Sequence, residues 1–277
     1  MLAACSSVSP PEIKFGRYGE PYATKPDFAR VEHEFPLSLA DLAKLTPETL
    51  GTYNQEQIDQ IYARLAAGAI PDGWYDGGPF FPKGASGANR ITGIIGGFSG
   101  MVAGAKTTKL ELLGKYLWHG KVFHRDSRLV RSRIDDRAPL EHLISGDPAT
   151  IPTIMASGRE QWLLFPARLY CGQSLLDSRR ESIIIDYSHS DDIPGYRELP
   201  DYLPGRRGMQ VRDEIRMIRP GFYLGRAYLG KIFLLNFTLY DKELAERHMP
   251  GFLKTGATRQ DCWPGEQARQ MFPGRER

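Results

Sequence analysis

Three short runs concentrate side chains able to move a proton or hold a polar group. The first is Trp118-His119-Gly120-Lys121-Val122-Phe123-His124-Arg125-Asp126. In a strand, successive side chains face opposite sides, so Trp118, Gly120 and Val122 share one face while His119, Lys121 and Phe123 share the other. A glycine on a strand face marks close approach by a ligand or by another backbone. The second run is Ile183-Ile184-Ile185-Asp186-Tyr187-Ser188-His189-Ser190-Asp191-Asp192. Its apolar start delivers Asp186, Tyr187 and His189 to a sheet rim, where general acid or base chemistry operates. The pair Asp191-Asp192 before Ile-Pro-Gly is equally ordinary turn chemistry. The third run, 211–219, alternates Arg212, Glu214, Arg216 and Ile218 on one face with Val211, Asp213, Ile215, Met217 and Arg219 on the other. Outside a barrel this Arg-Glu-Arg face is a solvated ladder. Inside one, its charges must be paired, and they would grip a carboxylate or phosphate head group bidentately.

Other chemistries lack their signatures. Ser174 sits in Cys171-Gly172-Gln173-Ser174-Leu175-Leu176, without the second glycine of a nucleophile elbow. No GxGxxG, Walker-type lysine loop, CxxC or HExxH occurs, so no cofactor and no metal is expected. The formal charge is only +3, with Lys/Arg and Asp/Glu interspersed, and the basic excess at 125–133 lacks interleaved aromatics. That argues against a nucleic-acid partner.

The elements that must position these runs follow from periodicity. Residues 1–36 read as an extended tether, broken by Pro10, Pro11, Pro21, Pro26 and Pro36. In the helical region 37–105, Ser38 caps a short helix through Leu39, Leu42 and Leu45. Asn54, with Gln57 at N3, caps a second whose apolar face is Ile58, Ile61, Tyr62 and Leu65. Residues 70–73 then form a turn and 74–87 a Gly/Pro/aromatic loop. Residues 88–105 have helical spacing with Gly96, Gly100 and Gly104 on one face, which predicts close backbone contact there. From residue 116 the period becomes two. Strands are predicted at 116–123, 128–134, 161–170, 182–188, 211–218, 222–228 and 231–240, divided by turns such as Pro204-Gly205 and Pro220-Gly221. The fold class is therefore mainly β with N-terminal helices, an antiparallel lipocalin-like barrel or strongly curved sheet spanning 106–240. Residues 241–277 form a tail with one short helical patch.

Two resemblances add to this. Trp118-x-Gly120-Lys121-x-Phe123, at the opening of the β region, resembles the first strand of lipocalin-like (calycin) proteins, with Gly and Trp reversed from the usual order. It implies a barrel whose floor an aromatic closes. Leu2-Ala3-Ala4-Cys5, followed by Ser6-Ser7, resembles the lipobox of bacterial lipoproteins, although no basic segment or apolar core stands ahead of it. That resemblance implies lipidation of Cys5, anchorage to a membrane and an outer-membrane, periplasm-facing location. Cys171 and Cys262 then remain, and an oxidising compartment would permit a bridge between them; two separate thiols are the alternative.

The leading expectation is a lipid-anchored protein that binds a hydrophobic or amphipathic small molecule in a barrel cavity. Its ligand contacts would be Arg212, Glu214, Arg216, Trp118 and Tyr187. The alternative is an isomerase, lyase or hydrolase in the same cavity, with Asp186 or Glu214 as base assisted by His119 or His124. A third reading is a structural envelope protein. Catalysis requires Asp186, His124 and Glu214 to converge within hydrogen-bond reach.

Overall fold

The computed structural model describes residues 11–17, 27–84, 120–137, 144–156 and 158–262. Among the described residues there are nine strands: β1 (Gly73–Phe80), β2 (Gly120–His124), β3 (Leu129–Ile134), β4 (Thr153–Ala156), β5 (Arg159–Gln173), β6 (Glu181–Asp186), β7 (Val211–Arg219), β8 (Phe222–Leu229) and β9 (Ile232–Tyr240). All pairings are antiparallel, and pairing of β3 with β5 closes every strand except β4 into a ring. The ring runs β1-β2-β3-β5-β6-β7-β8-β9 and back to β1, an up-and-down barrel of eight strands consistent with lipocalin-like architecture. β4 pairs with the first residues of the long β5. Closure removes the exposed edges that an open sheet of this length would carry.

The barrel begins earlier in the chain than its period-two pattern indicates. Residues 74–80, expected as loop, belong to β1, which bridges β2 and β9. Glycines at 73, 77 and 78 and Pro79 hide it, since these residues ordinarily break strands. The strand tolerates them because its two halves use different edges: 73–76 pair with β2 and 76–80 with β9.

One side chain or more from each of the eight strands enters a single apolar cluster: Tyr75, Phe123, Val130, Leu169, Ile185, Ile215, Ala227 and Phe237 among them. That cluster is the barrel lumen. The opposite face of β7 and β8 is covered by helices. Ile218, Phe222 and Leu224 pack there against Leu45, Leu50, Ile58, Ile61 and Tyr62. These helices are α2 (Leu39–Lys44), α3 (Pro47–Leu50) and α4 (Gln55–Arg64). Ser38 and Asn54 cap α2 and α4, and Asn54 and Gln57 form a reciprocal capping box. A further helix, α1 (Phe28–Glu34), capped by Asp27, lies inside the stretch expected to be extended.

Both mouths of the barrel are covered. At one, Tyr223 Oη donates to Ala69 O (2.6 Å), and Asp261 N donates to Gly68 O. Cys262 there is buried and disulfide-bonded to Cys171 on the lumenal side of β5, across 91 positions of sequence. The tail therefore contributes to the core, after a helix (Lys242–Thr255) longer than its sequence pattern predicts. Over the other mouth lies the β6–β7 connection, where Leu203 joins the lumenal cluster. Buried Asp201 accepts from Phe165 N (2.7 Å) and Arg197 N (2.9 Å). Burial raises its carboxyl to about 6, against the lowering effect of those two donors.

Candidate functional site

Among the described residues the lumen is lined mainly by apolar side chains, and charged groups enter it at Lys121 and Asp213. Lys121 on β2 extends Nζ across it to donate to Tyr187 Oη at 2.8 Å, and the same Nζ lies 3.8 Å from Asp213 Oδ2. Tyr187 directly follows β6, and Asp213 is the third residue of β7. Ser132, the register partner of Lys121 on β3, also hydrogen-bonds Tyr187. All four side chains are buried. Their lumenal orientation follows from alternation: Lys121 shares a face with Phe123, and Asp213 with Val211 and Ile215.

Electrostatics set the character of this group. Burial lowers the Lys121 ammonium to about 8, while the neighbouring Asp213 carboxylate works in the opposite sense. Tyr187 is pushed well above the usual phenol range by burial first and by Asp213 second, so it stays a neutral hydroxyl. In register, Asp213 lies between Ala227 and Ile185, and Lys121 between Ser132 and Tyr75. Tyr75 also meets Phe123 and Tyr223 edge to face, at centroid distances of 5.5 and 5.8 Å. The arrangement offers a hydrogen-bonding cation, a hydroxyl and a carboxylate at one level of an apolar tube, a composition compatible with small-ligand binding.

The residues expected at the site are distributed differently. Arg212, Glu214 and Arg216 do not enter the lumen; they lie on the outer face of β7, because Asp213 and Ile215 occupy the inner one. Arg216 is wholly buried beneath α4. It donates to Ser182 Oγ (3.0 Å), Tyr62 O (3.1 Å), Asp177 O (3.1 Å) and Arg180 O (2.8 Å), and it stacks on the Tyr62 ring. Glu214 accepts from Leu175 N at 3.0 Å and pairs with Arg212 at 3.2 Å. This network fastens α4 and the β5–β6 connection to the barrel wall. Its charges are paired, as a strand covered on both faces requires.

Asp186, Glu214 and His124 do not converge. Asp186 accepts from Tyr170 Oη (2.8 Å) and Ser188 N on the outer face, and His124 is exposed at the end of β2. The acid–base site built on those three residues is therefore not assembled. Cys5, Trp118, His119 and the Gly96/Gly100/Gly104 face lie outside the described residues. Among the described residues, two groups have donor atoms close enough to share a metal ion. In one, Cys171 and Cys262 are consumed by their disulfide. In the other, exposed His189, Asp191 and Asp192, Asp191 is already paired with Arg206. Neither is built as a metal centre.

Two members of the buried group carried a readable signal. By alternation Asp213 shares a face with Val211, Ile215, Met217 and Arg219, and Lys121 with His119 and Phe123. A charge on a largely apolar, buried strand face needs a partner. The Arg212/Glu214/Arg216 face of the same strand lies under α4 instead.

No family model and no curated protein matches the chain. Among solved structures, a protein from Thermomonospora curvata is similar, at 17% identity and a TM-score of 0.34. The alignment covers 69% of this chain and 89% of that one.

Proposed function

We propose that this protein binds a hydrophobic or amphipathic small molecule in its barrel lumen, with the polar end of that molecule held at Lys121, Tyr187 and Asp213. The observation that carries this reading is the buried hydrogen-bonded group of Lys121, Tyr187 and Asp213 in a largely apolar barrel. Buried charges cost desolvation energy that hydrophobic replacements avoid, so stability alone is a poor reason to keep them there. An eight-stranded barrel is also the size that accommodates one small ligand.

The test is displacement of the environment-sensitive dye anilinonaphthalene sulfonate by octanol and octanoate. Folded wild-type protein should give saturable, competitive displacement. The paired replacement Lys121→Met with Asp213→Leu, which removes both charges together, should weaken octanoate more than octanol. Equal displacement curves for the two proteins would remove the polar group from the site.

The location proposed for this activity is the periplasmic face of a bacterial outer membrane, with a lipid on Cys5. Support comes from Leu2-Ala3-Ala4-Cys5 with serine following, and from the Cys171–Cys262 disulfide, a bond that persists in oxidising compartments. Expressed behind a complete signal peptide, the protein should fractionate with membranes, and Cys5→Ser should release it. Identical fractionation of the two forms would end the lipidation proposal.

A further inference from the structure

The binding reading leaves open why the lumenal cation is a lysine. A lysine is the one cationic side chain that also becomes an amine nucleophile when its environment disfavours the charge. We propose that Lys121 captures carbonyl compounds, aldehydes or unhindered ketones with an apolar chain, as a reversible imine. The inference rests on the lumenal binding reading and names the ligand class for that site.

The neighbours of Nζ suit this chemistry. Tyr187 Oη, 2.8 Å from Nζ, lies beside the place where the oxygen of a carbinolamine would develop, and as a neutral hydroxyl it can hydrogen-bond to that oxygen. Asp213, with a carboxylate oxygen 3.8 Å from Nζ, serves as counterion. Ser132 holds the tyrosine hydroxyl in place from the next strand.

The step balances without any oxidant or reductant. Lys121 in its ammonium form plus a carbonyl compound gives a protonated imine plus water. The nitrogen lone pair, freed by transfer of a proton to Asp213, forms the C–N bond as the C=O π bond breaks to give a carbinolamine. The oxygen then takes one proton from nitrogen and the one held by Asp213, the C–O bond breaks, and water leaves; nitrogen keeps its last proton, and its lone pair forms the C=N bond. One positive charge stands opposite Asp213 before and after, so the electrostatics of the lumen are conserved. Burial, which lowers the ammonium to about 8, makes the free amine accessible near neutral pH, unlike an exposed lysine. The apolar wall formed by Val130, Leu169 and Ile185 excludes the bulk water that would hydrolyse the imine.

The experiment is reductive trapping. Native protein is incubated near neutral pH with octanal and sodium cyanoborohydride, and the alkylated lysine is located by peptide mass mapping. In parallel, retention of octanol, which cannot form an imine, is followed by native mass spectrometry. The expected result is a dominant single adduct at Lys121 that is lost in Lys121→Arg and loses its site preference in denatured protein. Tyr187→Phe should trap several-fold more slowly. Octanol retention with label spread over surface lysines, and Lys121 unlabelled, overturns the imine and leaves the binding reading standing. Absence of both the Lys121 adduct and octanol retention overturns both. Should Lys121→Arg fail to fold, the site map of the wild-type protein alone decides.

Discussion

Removing one member of the lumenal group takes a nearby opposite charge from its buried partner. Lys121→Met alone should therefore cost about 3–5 kcal/mol in denaturant unfolding, and adding Asp213→Leu should recover most of that loss. A double variant as unstable as the single one would mean that the two charges do not compensate each other. The pH dependence has a definite sign. Folding lowers the Lys121 ammonium from 10.5 to about 8, so between those values the unfolded chain binds more proton. Stability from this residue is thus gained as pH rises from about 8 toward 10.5, and the paired Met/Leu variant should lose that slope. On the outer face the expectation differs. Arg216→Lys should cost about 3–5 kcal/mol, since an ammonium cannot reproduce the fork that serves Ser182, Tyr62, Asp177 and Arg180 together. Ligand affinity of the protein that remains folded should be unchanged. An Arg216→Lys protein that folds normally but loses octanol would move the site to that face.

Elements whose sequence shows a clean two-residue period fold where that period places them: β3 and β5 to β9 fall within a few residues of expectation. Such alternation is dictated by a half-buried sheet and needs no knowledge of partners. What the period cannot show is which of two buried faces lies inside, because β7 and β8 are buried on both. The face assignment depends on where α4 docks, and that is a tertiary fact. β1 escaped for another reason, its glycines and proline being turn formers that closure of the ring overrides. Gly225 on β8 has a similar tertiary meaning, since a Cβ there would sit inside the Phe237 ring. Gly225→Ala should overpack the lumen and cost about 1–3 kcal/mol, read as a lowered melting temperature. Recovery on adding Phe237→Leu would assign the cost to that contact, and an unchanged single variant would place Gly225 away from the ring. At the helical layer, Asn54→Ala removes the α4 cap and should cost about 0.5–2 kcal/mol.

At the level of the molecule, the barrel is a closed ring of strands with covered ends, and the disulfide ties the covering at one of them. It joins positions 91 apart, so loss of Cys262 should destabilise by about 2–5 kcal/mol through the greater freedom of the unfolded chain. Cys262→Ser and reduced wild-type protein should then show the same lowered melting temperature; unaltered melting after verified reduction would mean the bridge constrains nothing. The central claim, that the lumen and not the helix-covered wall receives the ligand, can be read from isoleucine methyl groups. Ile183, Ile185 and Ile215 face the lumen, whereas Ile58, Ile61 and Ile218 lie between the helices and the barrel wall. Methyl NMR of isoleucine-labelled protein titrated with octanol should give shifts and intermolecular contacts at Ile183, Ile185 and Ile215, with Ile58, Ile61 and Ile218 unmoved. Contacts confined to Ile58, Ile61 and Ile218, or saturating octanol with no change at the lumenal methyls, would contradict the account.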